Sequence, residues 1–288
     1  MKHAYLIMAH KCPKQLIKLL KLLDDSENDI YCHIDVKSQD ISVDELSSVC
    51  KNAKLYFVKR ISVKWGHWTI VECTYNLLKE AEKNGPYTSY HLLSGQDLPL
   101  KPIKQINDYF NNNVDKNFVE INEGAWVSKN IAERICKHFF DPFSKNRFIR
   151  YIQKVIKKNM TLFVEIFKVR KGFYRRGSAW WDISQRLVDI ILEEEEWVYK
   201  TFNKYEFPDE AFVQTLIAKH NLFDTVGELK HYADWERSSN GSPWVFRKND
   251  YDKLIDLKSF FARKFDETID NEVIDMICKY VLDDSSKS

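Results

Sequence analysis

Two stretches carry the side chains best suited to chemistry. Phe207-Pro208-Asp209-Glu210 sets paired acids behind a proline, and upstream of it Arg176-Gly177-Ser178-Ala179-Trp180-Trp181-Asp182-Ile183-Ser184 is a small-residue turn running into two tryptophans. Proline fixes its own φ and restricts the residue before it, so the first stretch reads as a rigid turn that presents a carboxylate. Beside aromatic rings such a carboxylate suits a sugar hydroxyl, and the pair of stretches reads as an enzyme site for carbohydrate. The plainer alternative is that Asp209 and Glu210 only open the helix expected over Ala211–His220, where the macrodipole favours negative charge. On this motif alone the plainer reading wins. If the segment at Trp180 and Trp181 is extended, the two rings point in opposite directions, so at most one faces a ligand.

The elements that must position these residues follow from apolar patterning. Tyr5 to Ala9, Ile30 to Ile34, Leu55 to Val58 and Tyr90 to Ser94 read as buried strands. Pro13 to Leu23 and Trp68 to Glu82 read as helices, as do Leu187 to Tyr199 and Tyr251 to Phe260. Strands alternating with helices over the first hundred residues predict an α/β fold with a mostly parallel central sheet flanked by helices. Ligands on such sheets bind beyond the carboxyl ends of the strands, where His10, Asp35 and Ser94-Gly95-Gln96-Asp97 fall.

With 288 residues, 30% charged and 44% hydrophobic, the chain reads as a globular domain with a sizeable core. Aromatic residues reach 14% and glycines number only 8, which favours ring-stacking ligands over Gly-rich phosphate loops. Cys12, Cys32, Cys50, Cys73, Cys136 and Cys278 are scattered without zinc-site spacing, and read as free thiols in a reducing compartment. The N-terminal apolar run is too short for a signal peptide and no stretch reaches a membrane span, so a cytoplasmic location is expected. Net charge is only +2, yet residues 143–176 hold eleven Lys or Arg against one acid, Glu165, interleaved with apolar side chains. Such a segment suits an anionic membrane surface or phosphate, with a solvated helical face as the equal alternative. No nucleic-acid module surrounds it.

Seven segments, in order along nearly the whole chain, resemble the core-2/I-branching β-1,6-N-acetylglucosaminyltransferase family, glycosyltransferase family 14, which also contains the peptide O-xylosyltransferases. They are Ala4-Tyr5-Leu6-Ile7 with His10, Tyr31 to Lys37, Trp65-Gly66 with Trp68-Thr69, Leu92 to Leu100, Gly177 to Trp181, Phe207 to Glu210, and Phe261 to Asp266. The chain looks like a compact bacterial member without anchor or stem. The resemblance implies a GT-A type fold in one domain, 1–288, with a nucleotide-binding half (1–115) and an acceptor and catalytic half (116–288). It also implies a UDP-sugar donor, inversion at the anomeric carbon, and no metal or other cofactor. A metal-dependent relative would carry Asp-x-Asp at the end of a hydrophobic strand. The one such triplet, Asp250-Tyr251-Asp252, opens an expected helix and reads as capping and solvation.

By the same resemblance Glu210 is the catalytic base, with Asp209 orienting or capping it on the acceptor side. Lys264 binds the diphosphate beside Arg263, with Arg237 or Arg247 as a further cation. Asp35 meets the nucleoside, and Trp65 stacks on uracil unless it packs in a core. Asp97 holds the donor sugar or closes the turn before Pro99, and Trp180 and Trp181 stand on the acceptor side. The expected activity is transfer of a sugar, GlcNAc first, to a glycan or lipid-linked glycan in surface polysaccharide assembly, with peripheral contact at the inner membrane face through 143–176. Xylosyl or other sugar transfer within the family, a non-catalytic carbohydrate-binding protein and a glycoside hydrolase are the alternatives. A hydrolase needs two cooperating carboxylates, and adjacent side chains such as Asp209 and Glu210 do not usually converge on one bond.

Overall fold

The computed structural model describes residues 2–137, 147–164, 172–238 and 241–285. Among them the strands are β1 (His3–Ala9), β2 (Asn28–Ile34), β3 (Lys54–Phe57), β4 (Ser89–Ser94), β5 (Leu98–Pro99), β6 (Asn117–Phe118), β7 (Asp182–Ser184), β8 (Val226–Gly227), β9 (His231–Ala233) and β10 (Phe261–Arg263). The helices are α1 (Pro13–Leu22), α2 (Val43–Ser47), α3 (Trp68–Glu82), α4 (Ile103–Asn111), α5 (Ala125–Lys137), α6 (Arg147–Val164), α7 (Gln185–Glu193), α8 (Glu195–Phe202), α9 (Phe212–Lys219), α10 (Tyr251–Ile255) and α11 (Asn271–Ser285).

The main sheet runs β3-β2-β1-β4-β7-β6-β8, with β1 to β4 parallel and β7 antiparallel to both its neighbours. This is the mostly parallel α/β sheet expected from the alternation of elements. β1, β2 and β4 are almost continuously buried because helices cover both faces, so they read as unbroken apolar runs. Alternation along β1 sends Ala4 and Leu6 into one core with Leu77, Trp181 and Phe212, and Tyr5 and Ile7 into the other with Leu16, Phe261 and Ile274. The first layer is built by α3, α7 and α9, the second by α1 and α11.

A small sheet, β5-β10-β9, lays Leu98-Pro99 antiparallel to Phe261-Ala262 and so brings Asp97 beside Arg263. The two sheets are pinned through Asp182 of β7, whose Oδ1 is shared by His91 Nδ1 of β4 at 2.8 Å and His231 Nε2 of β9 at 3.1 Å.

Two expected helices differ. Leu187 to Tyr199 is broken at Glu194, whose carboxylate is drawn to Lys219 and His220 at the end of α9. The helix expected over Tyr251 to Phe260 stops at Ile255, because Phe260 turns into the core and its carbonyl accepts from Leu100 N at 2.7 Å. Of the basic stretch 143–176, residues 143–146 and 165–171 lie outside the described residues.

Candidate active site

The Pro208–Glu210 segment is a single 3-10 turn that leads into α9. Phe207 before it has φ 56°, a left-handed conformation that a bulky residue holds only when its surroundings fix it. Those surroundings are specific. Phe207 N donates to Gly66 O at 3.0 Å, and its ring meets Trp65 edge-on at 4.6 Å and lies 4.8 Å from the Arg134 guanidinium. Gly66 has φ +71° and lies so close that an added Cβ would fall 2.8 Å from the Phe207 ring. The Trp65-Gly66 and Phe207-Pro208 segments are thus one interlocked unit.

The upstream turn is locked to the same place. Gly177 N donates to Glu210 O at 2.8 Å, and a Cβ on Gly177 would sit 1.8 Å from Glu120 O, so no larger residue fits without moving the chain. The Glu210 carboxylate is 27% exposed, and its Oε2 accepts from Arg134 Nη1 at 2.8 Å and Arg176 Nη2 at 2.7 Å. Arg176 is held in turn by Asn130 at 2.8 Å. Asp209 is partly buried, its Oδ1 shut off from solvent and without a hydrogen-bond partner among the described residues. Burial, and then the neighbouring Glu210 charge, push its pKa up to about 7.

Next to Asp209 lies Arg263, whose guanidinium covers the Trp180 ring at 4.0 Å and whose Nε stands 3.5 Å from Asp97 Oδ1. Its Nε and Nη1 make no hydrogen bond among the described residues. Asp97 Oδ2 accepts from Ser94 N at 2.8 Å, closing the turn, while Oδ1 faces the arginine. Burial holds the Asp97 pKa above the usual carboxylate range against the pull of Arg263.

Lys264 follows β10 and stands near His10 and Lys11, just past the end of β1. Burial first, then the charges of Lys11 and Arg263, lower its pKa. Its ammonium donates a long 3.4 Å hydrogen bond to Ser242 Oγ, and no carboxylate lies within ion-pair distance among the described residues. His10 feels the same field, its pKa lowered by burial and then by Lys11 and Lys264.

Other expected site residues fall as follows. Asp35 lies at the end of β2, and both its oxygens are taken by backbone, from Lys37 N at 2.8 Å and Val63 N at 2.9 Å. Burial opposes its ionisation, but these amides and the Lys37 ammonium outweigh it and lower the pKa. Trp65 is 69% exposed and lies in neither core cluster. Trp181 is fully buried, and Trp180 is partly buried against the same core with its ring under Arg263, so of the paired tryptophans only Trp180 borders the site. Arg237 is not a spare cation: Asp234 and Asp250 clamp it at 2.7 Å each. Asp250 caps its turn through Arg247 N at 2.8 Å, but it is buried rather than solvated, also accepting from Trp244 Nε1 at 3.0 Å. No group of three or more His, Cys, Asp or Glu fit to hold a metal ion occurs among the described residues. Cys12, Cys32, Cys50, Cys73 and Cys278 are free thiols. Sequence reasoning assigned no role to Arg134, Arg176 or Lys11; only the tertiary structure brings Arg134 of α5 to Glu210.

Residues 3–254 match the family described as Core-2/I-Branching enzyme. The chain therefore belongs to the Core-2/I-Branching enzyme family, the one its seven motifs resemble. Xylosyltransferase 2 of Rattus norvegicus is 22% identical over 302 residues, covering 95% of this chain, and a xylosyltransferase of Ciona intestinalis is 23% identical, covering 94%. Each match takes in 33% of the relative, so the chain spans about a third of the length of these curated proteins. Mouse Xyloside xylosyltransferase 1 in its apo form aligns over 91% of this chain and 97% of its own, with a TM-score of 0.41 and 10% identity.

The raised Asp209 carboxyl makes stability depend on pH. It titrates near ~3.9 when unfolded and near 7 in the fold, so the fold prefers the protonated form. That preference is fully present below pH ~4 and is lost as pH rises to about 7. Asp209→Asn is neutral throughout, so its Tm relative to wild type is expected to rise between roughly pH 5 and pH 8. Thermal melts at both pH values check this; a constant difference would contradict the raised carboxyl.

Proposed function

We propose that the chain is an inverting, metal-independent glycosyltransferase that moves a sugar from UDP to a glycan hydroxyl. GlcNAc is the first candidate sugar, and the names of the relatives keep xylose beside it. The observation that carries the reading is that a carboxylate fixed by cations and a crowd of cations short of carboxylate stand at two ends of the region around Asp209. At one, Glu210 is held by two arginines; at the other, Lys264, Lys11 and Arg263 crowd together and Lys264 has no carboxylate partner among the described residues. Repulsion among those cations is relieved by an anion, and a diphosphate fits that need.

In this reading Glu210 takes the proton of the acceptor hydroxyl as its oxygen attacks the anomeric carbon. The bond from that carbon to the phosphate oxygen breaks, its electron pair leaves with UDP, and Lys264 and Arg263 meet the developing charge. Trp180, pinned by Arg263, borders the acceptor side, while Asp35 orders the strand end near the nucleoside and Trp65 offers an exposed ring to uracil. A hydrolase is disfavoured, because Asp209 and Glu210 are adjacent and neighbouring side chains do not usually converge on one bond. A lectin has no need of the crowded cations.

Glu210→Gln is expected to keep UDP affinity while lowering UDP release with donor and acceptor by roughly 10²-fold or more. Calorimetry and a turnover assay in excess EDTA measure both. Near-normal turnover in the variant removes Glu210 from the base role, and wild-type activity that EDTA abolishes and Mn²⁺ restores overturns the metal-free account.

The reading extends to a membrane surface. α6 carries five Lys or Arg and no acid in its sequence, and exposes Tyr151, Val155, Ile156 and Leu162. Such a helix suits anionic headgroups over an apolar interface, where a lipid-linked acceptor would lie. Sedimentation with anionic vesicles is expected to retain the protein at low salt and release it at high salt. Equal failure with anionic and neutral vesicles would leave α6 as a solvated face.

A further inference from the structure

Away from the charged cleft, α3 and α8 border an open groove of about 380 Å³, lined by Trp68, Glu72, Asn76, Glu195, Glu196 and Tyr199 together with the edge of Tyr75. Trp68, Glu72 and Asn76 recur every fourth residue and form one face of α3 about 12 Å long. Tyr199 is half exposed and meets Trp68 edge to face, ring centroids 5.2 Å apart and planes at 81°. α3 also packs on the Pro208–Glu210 turn, and its first residue lies two positions after Gly66 of the segment that locks Phe207.

Its chemistry narrows the ligand. Two of its three carboxylates are already neutralised, Glu195 by Lys79 at 2.7 Å and Glu196 by Lys200 at 2.5 Å. What remains is a pair of rings at right angles, bordered by carboxylate and amide groups that accept and donate hydrogen bonds but present little net field. Apolar ring faces beside such groups match the alternating C–H and hydroxyl faces of an uncharged sugar chain. Glu72, the one of the three without an ion pair among the described residues, disfavours an anionic glycan, and a cationic peptide would have to displace Lys79 and Lys200.

We propose that this groove is an accessory subsite that grips an uncharged stretch of the acceptor glycan beyond the sugar that reacts. The inference rests on the reading of the chain as a transferase with a glycan acceptor. It implies that short acceptors are poorer substrates than long ones, because only a long one reaches from the Glu210 turn along α3.

The test reads binding rather than turnover, so it fails separately from the assignment of the reaction. Saturation-transfer NMR with chitotriose, xylotriose and trilysine as probes is run on the full chain, with UDP affinity measured alongside as the check on folding. Wild type is expected to bind at least one trisaccharide. Tyr199→Ala is expected to weaken it about fivefold, the loss of one aromatic contact, with UDP affinity unchanged. Trp68→Ala should do the same, and Glu72→Gln, which keeps the shape, serves if Trp68→Ala does not fold. Binding of trilysine alone, of no probe, or of a trisaccharide with equal strength in wild type and Tyr199→Ala overturns the proposal.

Discussion

A carboxylate drawn into a half-closed cleft must be met by cations, and Glu210 meets two guanidiniums on a single oxygen. The rest of the site is arranged around that requirement. Arg134 must come from α5, Arg176 from the turn before the paired tryptophans, and the turn carrying Glu210 must stand between them. Gly177 allows the close approach to Glu120 that this needs, and Phe207 accepts a left-handed backbone because Gly66 leaves room for its ring. With Glu210 facing the arginines, the adjacent Asp209 keeps Oδ1 shut off from solvent and without a partner among the described residues, and burial and the Glu210 charge raise its pKa.

The opposite end of the cleft also holds more cations than carboxylates. Asp97 and Asp266 lie near Arg263, Lys264 and Lys11, but Asp97 spends Oδ2 on Ser94 N and Asp266 is engaged by Lys11. The cations therefore keep part of their charge uncompensated where the segments after β1, β4 and β10 converge. That location is where a parallel sheet leaves strand ends and loops open to a ligand. The small sheet β5-β10-β9 is what carries Arg263 and Lys264 there, and the shared Asp182 carboxylate fixes it against the main sheet.

Much of the framework was legible in the sequence because it is governed by burial. β1, β2 and β4 lie between helical layers and so read as continuous apolar runs, and Pro13 marks the start of α1 because its missing N–H costs nothing at that position. The break at Glu194 was not legible, since it depends on Lys219 and His220 of another helix, and the early end of α10 depends on a core position for Phe260. At the site, the Phe207–Glu210 turn and Arg263-Lys264 were found as motifs, whereas Arg134 sits in an ordinary helical sequence with no local signal. Arg237 failed as a candidate for the same reason in reverse, because its carboxylate partners are fixed by tertiary packing. Trp180 and Trp181 were not separable from the sequence, because both pack against one core and only the fold says which is fully buried.

The account stands on fixed cations taking the place of a metal at the diphosphate. Calorimetric titration of UDP and of uridine, in excess EDTA, into wild type and Lys264→Ala tests this most directly. Wild type should bind UDP without metal, and the variant should lose about tenfold or more in UDP affinity, at least 1.4 kcal/mol, while uridine affinity stays the same. UDP binding that requires added Mn²⁺, or equal losses for UDP and uridine, would contradict it.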